Sequence, residues 1–224
     1  MLISVHMPKT AGTSFLATLE LHFGAALLKD YADLPINTPP AQRHRSALEN
    51  ALRNSTRDFA GIDCIHGHFL PAKYLTAASS PAGVQFITWM RDPVDRVVSH
   101  FHFWKNYHDP ASAGALHSKV VAEDWSLERF TLGSELQNLY SQFLWAFPPW
   151  NFDFIGITEH YAADLEYFTR RHLGKPASPQ MLNLAPALGE SRHIDDTLRK
   201  KIEAHHALDM GLYRAALEKR AARK

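Results

Sequence analysis

The sequence predicts an α/β fold, with a central, mostly parallel sheet flanked by helices, in a single domain spanning residues 1–224. Two observations carry this expectation. Short apolar runs bounded by turn residues recur along the chain, and they alternate with longer segments whose apolar residues return at helical spacing. With 224 residues, 46% of them hydrophobic, the chain can bury a full core, and it shows no internal repeat or interdomain linker.

The first strand is expected over residues 2–7, followed by a helix over 13–23 and a weaker strand near Ala26. A helix over 41–53 precedes a strand over 62–66, and a short helix over 71–78 leads to a strand over 85–90. Asp92 is a natural N-cap and Pro93 suits the first helical position, so the next helix runs over 93–107. Between residues 107 and 125 the composition turns to Ala, Ser, Gly and His, which predicts a mobile loop or lid. A helix over 134–146, a strand over 152–157 and a helix over 162–173 follow. Residues 175–193 read as irregular. A last helix from Asp195 to about Lys219 carries Leu198, Ile202, Leu208, Leu212 and Leu217 on its apolar side.

The single cysteine, Cys64, has no partner for an intrachain disulfide and suits a reducing compartment. The opening residues lack a basic leader joined to an apolar region, and no stretch reaches the roughly 18 apolar residues of a membrane span. A cytoplasmic protein without a membrane anchor is expected. A formal net charge of +1 offers no global field for nucleic acid, so an anionic ligand must be held by a local site.

One such site is written at the first strand end. Ser4-Val5-His6-Met7 runs directly into Pro8-Lys9-Thr10-Ala11-Gly12-Thr13-Ser14, after which a helical pattern begins with Phe15, Leu16 and Leu19. A strand, a tight turn and a helix start aim several backbone N–H groups and the positive end of a helix dipole at one point. Gly12 permits close approach of a ligand, Thr13 and Ser14 add hydroxyls, and Lys9 adds a full charge. An ordinary turn with Thr13 as helix cap is the simpler alternative. The loop is not a Walker A motif, because the lysine precedes the glycine and no Gly-Lys-Ser/Thr stands at the helix start.

A second site follows the strand over 85–90, where Arg91 lies at the carboxyl end and Ser99 lies two turns into the next helix. A phosphate held by both gains charge-assisted hydrogen bonds. The competing reading pairs Arg91 with Asp95 as a surface bridge. Two anion sites at strand ends suit a nucleotide phosphorylated at both its 5′ and 3′ positions.

The segments His6–Phe15 and Met90–Phe101 resemble the 5′-phosphosulfate loop and the 3′-phosphate motif of the carbohydrate sulfotransferases of the heparan sulfate 2-O-sulfotransferase type and their bacterial relatives. His66-Gly67-His68-Phe69, Phe154-Ile155-Gly156-Ile157-Thr158-Glu159 and Asp209-Met210-Gly211-Leu212-Tyr213 are further matches in the same order. The resemblance implies a P-loop-like three-layer fold and 3′-phosphoadenosine 5′-phosphosulfate (PAPS) as co-substrate, with 3′,5′-adenosine bisphosphate as product. It implies that Lys9 contacts the sulfate and bridging oxygen, with Thr10, Ala11, Gly12, Thr13 and Ser14 around it, and that Arg91 and Ser99 hold the 3′-phosphate. It places the catalytic base at His68 and matches His66 to a second functional histidine. Arg192 lies where related enzymes close over the nucleotide. Animal members usually carry a Golgi anchor and stem, which are absent here, so a bacterial cytoplasmic enzyme with a hydroxyl-bearing, carbohydrate acceptor is expected.

A histidine titrating near neutrality fits the task of taking a hydroxyl proton. His66 and His68, two residues apart, share a face if the strand persists. A metal pair is the alternative reading of His-x-His, although no clear third ligand accompanies it and the family chemistry requires no metal. Asn138 and Gln142, four apart on a predicted helix, face nucleotide, acceptor or solvent. His100, His102, His205 and His206 are expected to be solvated or interfacial. Trp104, Trp125, Trp145 and Trp150 either stack on rings of a ligand or belong to the core. A phosphotransferase and a non-catalytic nucleotide- or glycan-binding module are the alternative functions.

Overall fold

The computed structural model describes residues 1–33, 35–36, 38–77, 83–178, 180–181 and 194–223. Strands β1 (Leu2–Val5), β2 (Leu27–Asp30), β3 (Cys64–Gly67), β4 (Gln85–Met90) and β5 (Phe154–Ile157) form one all-parallel sheet in the order β2-β3-β1-β4-β5. Val5 at the end of β1 is in register with Gly67 of β3 on one side and with Thr88 of β4 on the other. The chain therefore leaves these three central strands along one edge of the sheet, where open α/β folds gather their functional groups.

Alternation along each strand sends successive side chains into two separate cores. Leu2, Cys64, Ile87, Trp89 and Phe154 pack with Phe15 and Leu19 of α1 (Gly12–Phe23) and with Leu165 and Phe168 of α7 (Tyr161–His172). Ile3, Val5, Ile65, Phe86, Met90, Ile155 and Ile157 face the other way. They pack with Val94, Val97 and Phe101 of α3 (Pro93–Asn106) and with Tyr213 and Ala216 of α9 (Ala207–Ala221). Burial on both faces explains why the strands read as apolar runs. The result is three layers, as the sequence predicts. Helix α2 (Pro40–Asn54) packs beside the 3-10 turn Pro71–Tyr74. Among the described residues no helix is long and apolar enough to cross a membrane.

Four expectations fail for tertiary reasons. The predicted helix over 71–78 shortens to that 3-10 turn, because the Lys73 ammonium is drawn to Asp30 (2.7 Å) and Asp33 (2.8 Å) and the Tyr74 hydroxyl donates to Asp30 (2.7 Å). The expected lid over 107–125 contains α4 (Ala115–Ala122), followed by α5 (Leu127–Thr131). The α4 residue Val120 is fully buried, and His117 stacks on Trp104 (4.8 Å, 14°) while donating from Nε2 to the Trp104 carbonyl.

The helix expected over 134–146 breaks at Asn138, whose φ of 51° is left-handed, and only α6 (Leu139–Phe143) remains α-helical. Its cap comes from far along the chain, since the Asp209 carboxylate accepts from the N–H groups of Tyr140 (2.9 Å) and Ser141 (3.0 Å). The last helix divides at His206 into α8 (Asp196–His205) and α9. His206 is buried, donates from Nε2 to the Thr131 carbonyl (2.9 Å) and accepts at Nδ1 from the Asn138 N–H (3.2 Å). That break turns Leu208 outward, 63% exposed, where the sequence pattern puts it on the apolar side.

Candidate active site

A cavity of about 510 Å³ opens where the ends of β1, β3 and β4 meet α1 and α3. Lys9, Ala11, Gly12, Thr13, Ser14, His68, Arg91 and Ser99 all line it. Thr10 and His66 do not reach it. Arg192 lies outside the described residues.

The loop after β1 owes its shape to two non-glycine residues in the left-handed region, Lys9 (φ 67°) and Ala11 (φ 68°). Each costs on the order of 1 kcal/mol or more, and the Thr10 hydroxyl offsets part of this by donating to the Met7 carbonyl (2.7 Å). Left-handed residues on either side of Thr10 curl successive N–H groups toward one side, the geometry of an anion nest. Ala11 is the N-cap of α1 and no side chain caps the helix. Thr13 is thus not the cap, and the first-turn N–H groups are left to the cavity that Gly12, Thr13 and Ser14 line.

Gly12 also makes room within the protein itself. A Cβ there would sit 1.6 Å from His6 Nε2, so its absence makes room for the imidazole. His6 lines the cavity and stacks between the two histidines of β3 and its exit, with ring centroids 5.2 Å from His66 and 4.2 Å from His68. Tyr31 closes the stack edge-on, its hydroxyl 3.2 Å from His6 Nδ1. The strand ends at Gly67, so His66 and His68 are not one continuous face. His66 is buried, with Nδ1 2.8 Å from the Ser4 hydroxyl, and burial holds its pKa at about 3.

His68 is half-buried on the cavity wall. Its Nδ1 lies 2.6 Å from the His6 carbonyl, which can only accept, so Nδ1 carries the proton and the Nε2 lone pair has no hydrogen-bond partner among the described residues. Burial lowers its pKa, opposed by that hydrogen bond. Lys9 is half-buried with Nζ 4.1 Å above the Phe103 ring; burial and the nearby Arg91 charge both lower its pKa.

Arg91 is held through its own peptide. The Tyr140 hydroxyl accepts from the Arg91 N–H (2.9 Å) and donates to the Arg91 carbonyl (2.7 Å). Glu159 accepts from the Asp92 N–H (2.8 Å) and from the Tyr213 hydroxyl (3.2 Å), and Thr158 donates to the Met90 carbonyl (3.0 Å). The motifs around Glu159 and Tyr213 thus clamp the end of β4 from behind. Asp92 caps α3 by accepting from Val94 and Asp95. Asp95 is taken by Arg199 at 2.6 Å, which leaves the Arg91 guanidinium without a carboxylate among the described residues. The surface bridge between Arg91 and Asp95 does not form.

Two residues of α3 escaped the sequence reading. His100, expected at the surface, is 3% exposed, lines the cavity, and has Nδ1 without a partner among the described residues. Arg96 is fully buried beneath Tyr140, 5.6 Å from its ring, with no hydrogen bond among the described residues; burial lowers its pKa while Tyr140 and Asp209 oppose the shift. The i, i+4 spacing of Arg96 and His100 was readable, but their burial was not. Asn138 and Gln142 do not line this cavity: Asn138 accepts from the Asp209 N–H, and Gln142 binds Arg43 and the Gln137 carbonyl. Among the described residues no group of three His, Cys, Asp or Glu side chains is arranged to hold a metal ion.

No protein-family model matches the chain, and no curated protein matches it.

Proposed function

We propose that this protein is a sulfotransferase that moves a sulfuryl group from PAPS to a hydroxyl of a carbohydrate or related acceptor. The observation that carries the reading is the convergence on one cavity of two cationic anion-binding elements and a neutral histidine with a free lone pair. The nest at residues 9–12, with Lys9, suits the 5′-phosphosulfate. Arg91 and Ser99 suit a 3′-phosphate. PAPS supplies the activated sulfuryl group. His68 Nε2 takes the acceptor proton as the acceptor oxygen bonds to sulfur and the bond from sulfur to the phosphate oxygen breaks. Lys9 and the loop N–H groups stabilise the charge growing on that leaving oxygen. His66, sealed behind His6, acts on the site through the stack. A cytoplasmic setting accompanies this reading, supported by the lone buried thiol of Cys64.

The test is calorimetric binding of 3′,5′-adenosine bisphosphate against 5′-ADP, without added metal, in the wild type and in Arg91→Ala. The expected result is a preference of at least tenfold for the bisphosphate that disappears in the variant. Equal binding of the two nucleotides, or binding only with magnesium, overturns the reading and favours a phosphotransferase. Bisphosphate binding with no sulfation of any hydroxyl acceptor from labelled PAPS favours a non-catalytic module.

A further inference from the structure

A second cavity, of about 650 Å³, adjoins the first across Ile36, which lines both. Helix α6 divides them, with Phe143 facing the first and Gln142 the second. Buried Arg43 of α2 ties the walls together, donating from Nη1 to the Pro35 carbonyl (2.7 Å) and to Gln142 Oε1 (3.2 Å), while Gln142 Nε2 donates to the Gln137 carbonyl (2.7 Å). The second cavity is therefore a built part of the fold and opens beside the place where His68 waits for a hydroxyl.

Its lining has a recognisable chemistry. The indole of Trp145 and the imidazole of His44 lie face to face, 3.9 Å between centroids and 4° from coplanar, and both border the cavity. Around this flat pair stand Gln142, its amide spent on Arg43 and the Gln137 carbonyl, and Gln137 and Ser141, which donate to the carbonyls of His205 (2.8 Å) and Asn138 (2.8 Å) and keep their side-chain oxygens as acceptors. Flat aromatic surface beside fixed amides and hydroxyls suits a pyranose, whose C–H face packs on a ring while its hydroxyls bond at the rim.

The charges narrow the class further. Arg43 is committed to a carbonyl and an amide, Glu135 is held by Arg129 (2.6 Å and 3.1 Å), and burial together with Arg43 lowers the His44 pKa. At pH 7 the described lining residues carry one committed cation and one committed anion, with no free cation among them to receive a sulfate or carboxylate. A polyanionic chain finds no counter-charge there.

We infer that this second cavity binds a neutral pyranose unit, with the outer face of Trp145, braced from behind by His44, as its stacking surface. That the sugar belongs to the acceptor rests on the sulfotransferase reading; the binding itself does not.

The test follows the Trp145 indole N–H in the full chain by NMR, its signal assigned by disappearance in Trp145→Phe. The titrants are maltohexaose, cellohexaose, chitohexaose and mannohexaose, against a heparin-derived hexasaccharide. The expected result is a saturable shift of the Trp145 signal with at least one neutral oligosaccharide and none with the anionic one. Affinity should fall at least tenfold in Trp145→Ala and in His44→Ala. No shift with any of the four, a stronger response to the anionic chain, or unchanged affinity in both folded alanine variants overturns the inference. Bisphosphate calorimetry on the same samples separates the two claims. Lost sugar binding with intact nucleotide preference removes this inference alone, whereas absent nucleotide preference removes the sulfotransferase reading and leaves the sugar result to decide this one.

Discussion

His68 Nδ1 donates to the carbonyl oxygen of His6 at 2.6 Å, so the tautomer of the proposed base is fixed by the backbone just beyond β1. One short bond thereby sets both the ring orientation and the nitrogen that can accept a proton.

His68→Ala should lower kcat by about 10²-fold or more, the range a positioned general base supplies, while leaving bisphosphate affinity within about twofold of wild type. Because burial lowers the His68 pKa, its base form persists below the ordinary histidine value of 6.5. The acid limb of a kcat/KM profile should therefore lie below pH 6.5. An acid limb above that value, or full turnover in His68→Ala, would remove His68 as the base.

Gly12→Ala should destabilise the loop, because the new methyl would overlap the His6 ring. In a His6→Ala background the same change should be nearly neutral, giving a coupling energy of about 1–3 kcal/mol in a double-mutant cycle read by urea denaturation. Additive effects would mean that Gly12 is needed for something other than the imidazole.

Lys73→Met should lower stability by about 1–3 kcal/mol, since it leaves Asp30 and Asp33 as half-buried carboxylates without their cation. Tyr31, which braces His6, directly follows Asp30, so turnover should fall with the loss of order there. A midpoint of urea unfolding unchanged from wild type would contradict this.

Stability should fall as the solution is acidified from pH 6.5 towards 4. Burial lowers His206 to about 4 and His66 to about 3, so below 6.5 the unfolded chain binds protons that the folded chain refuses. Each contribution is present in full above 6.5 and is lost progressively down to the folded value; for His206 it amounts to about 3 kcal/mol. His206→Asn should flatten the slope of stability against pH in this window, measured by chemical denaturation at fixed temperature.

The amino-acid sequence by itself determined the parallel sheet, because apolar runs buried on both faces have few other homes. It also determined which strand ends carry the loop of Lys9 and the arginine of Arg91, since these depend on local order alone. Asp92 and Pro93 announced the start of α3 in the same local way. Tertiary structure alone decided what surrounds those residues. Asp209 caps α6 from 69 residues away, Asp95 is taken by Arg199 so that Arg91 has no carboxylate partner among the described residues, and His6 stacks on both His66 and His68 from the loop after β1. His100 and His206 look like surface histidines by composition and become buried neutral groups only when helices close over them. Local pattern reports period and turn chemistry, both set by neighbours in the chain. Charge state, free lone pairs and the boundary between two cavities are set by neighbours in space.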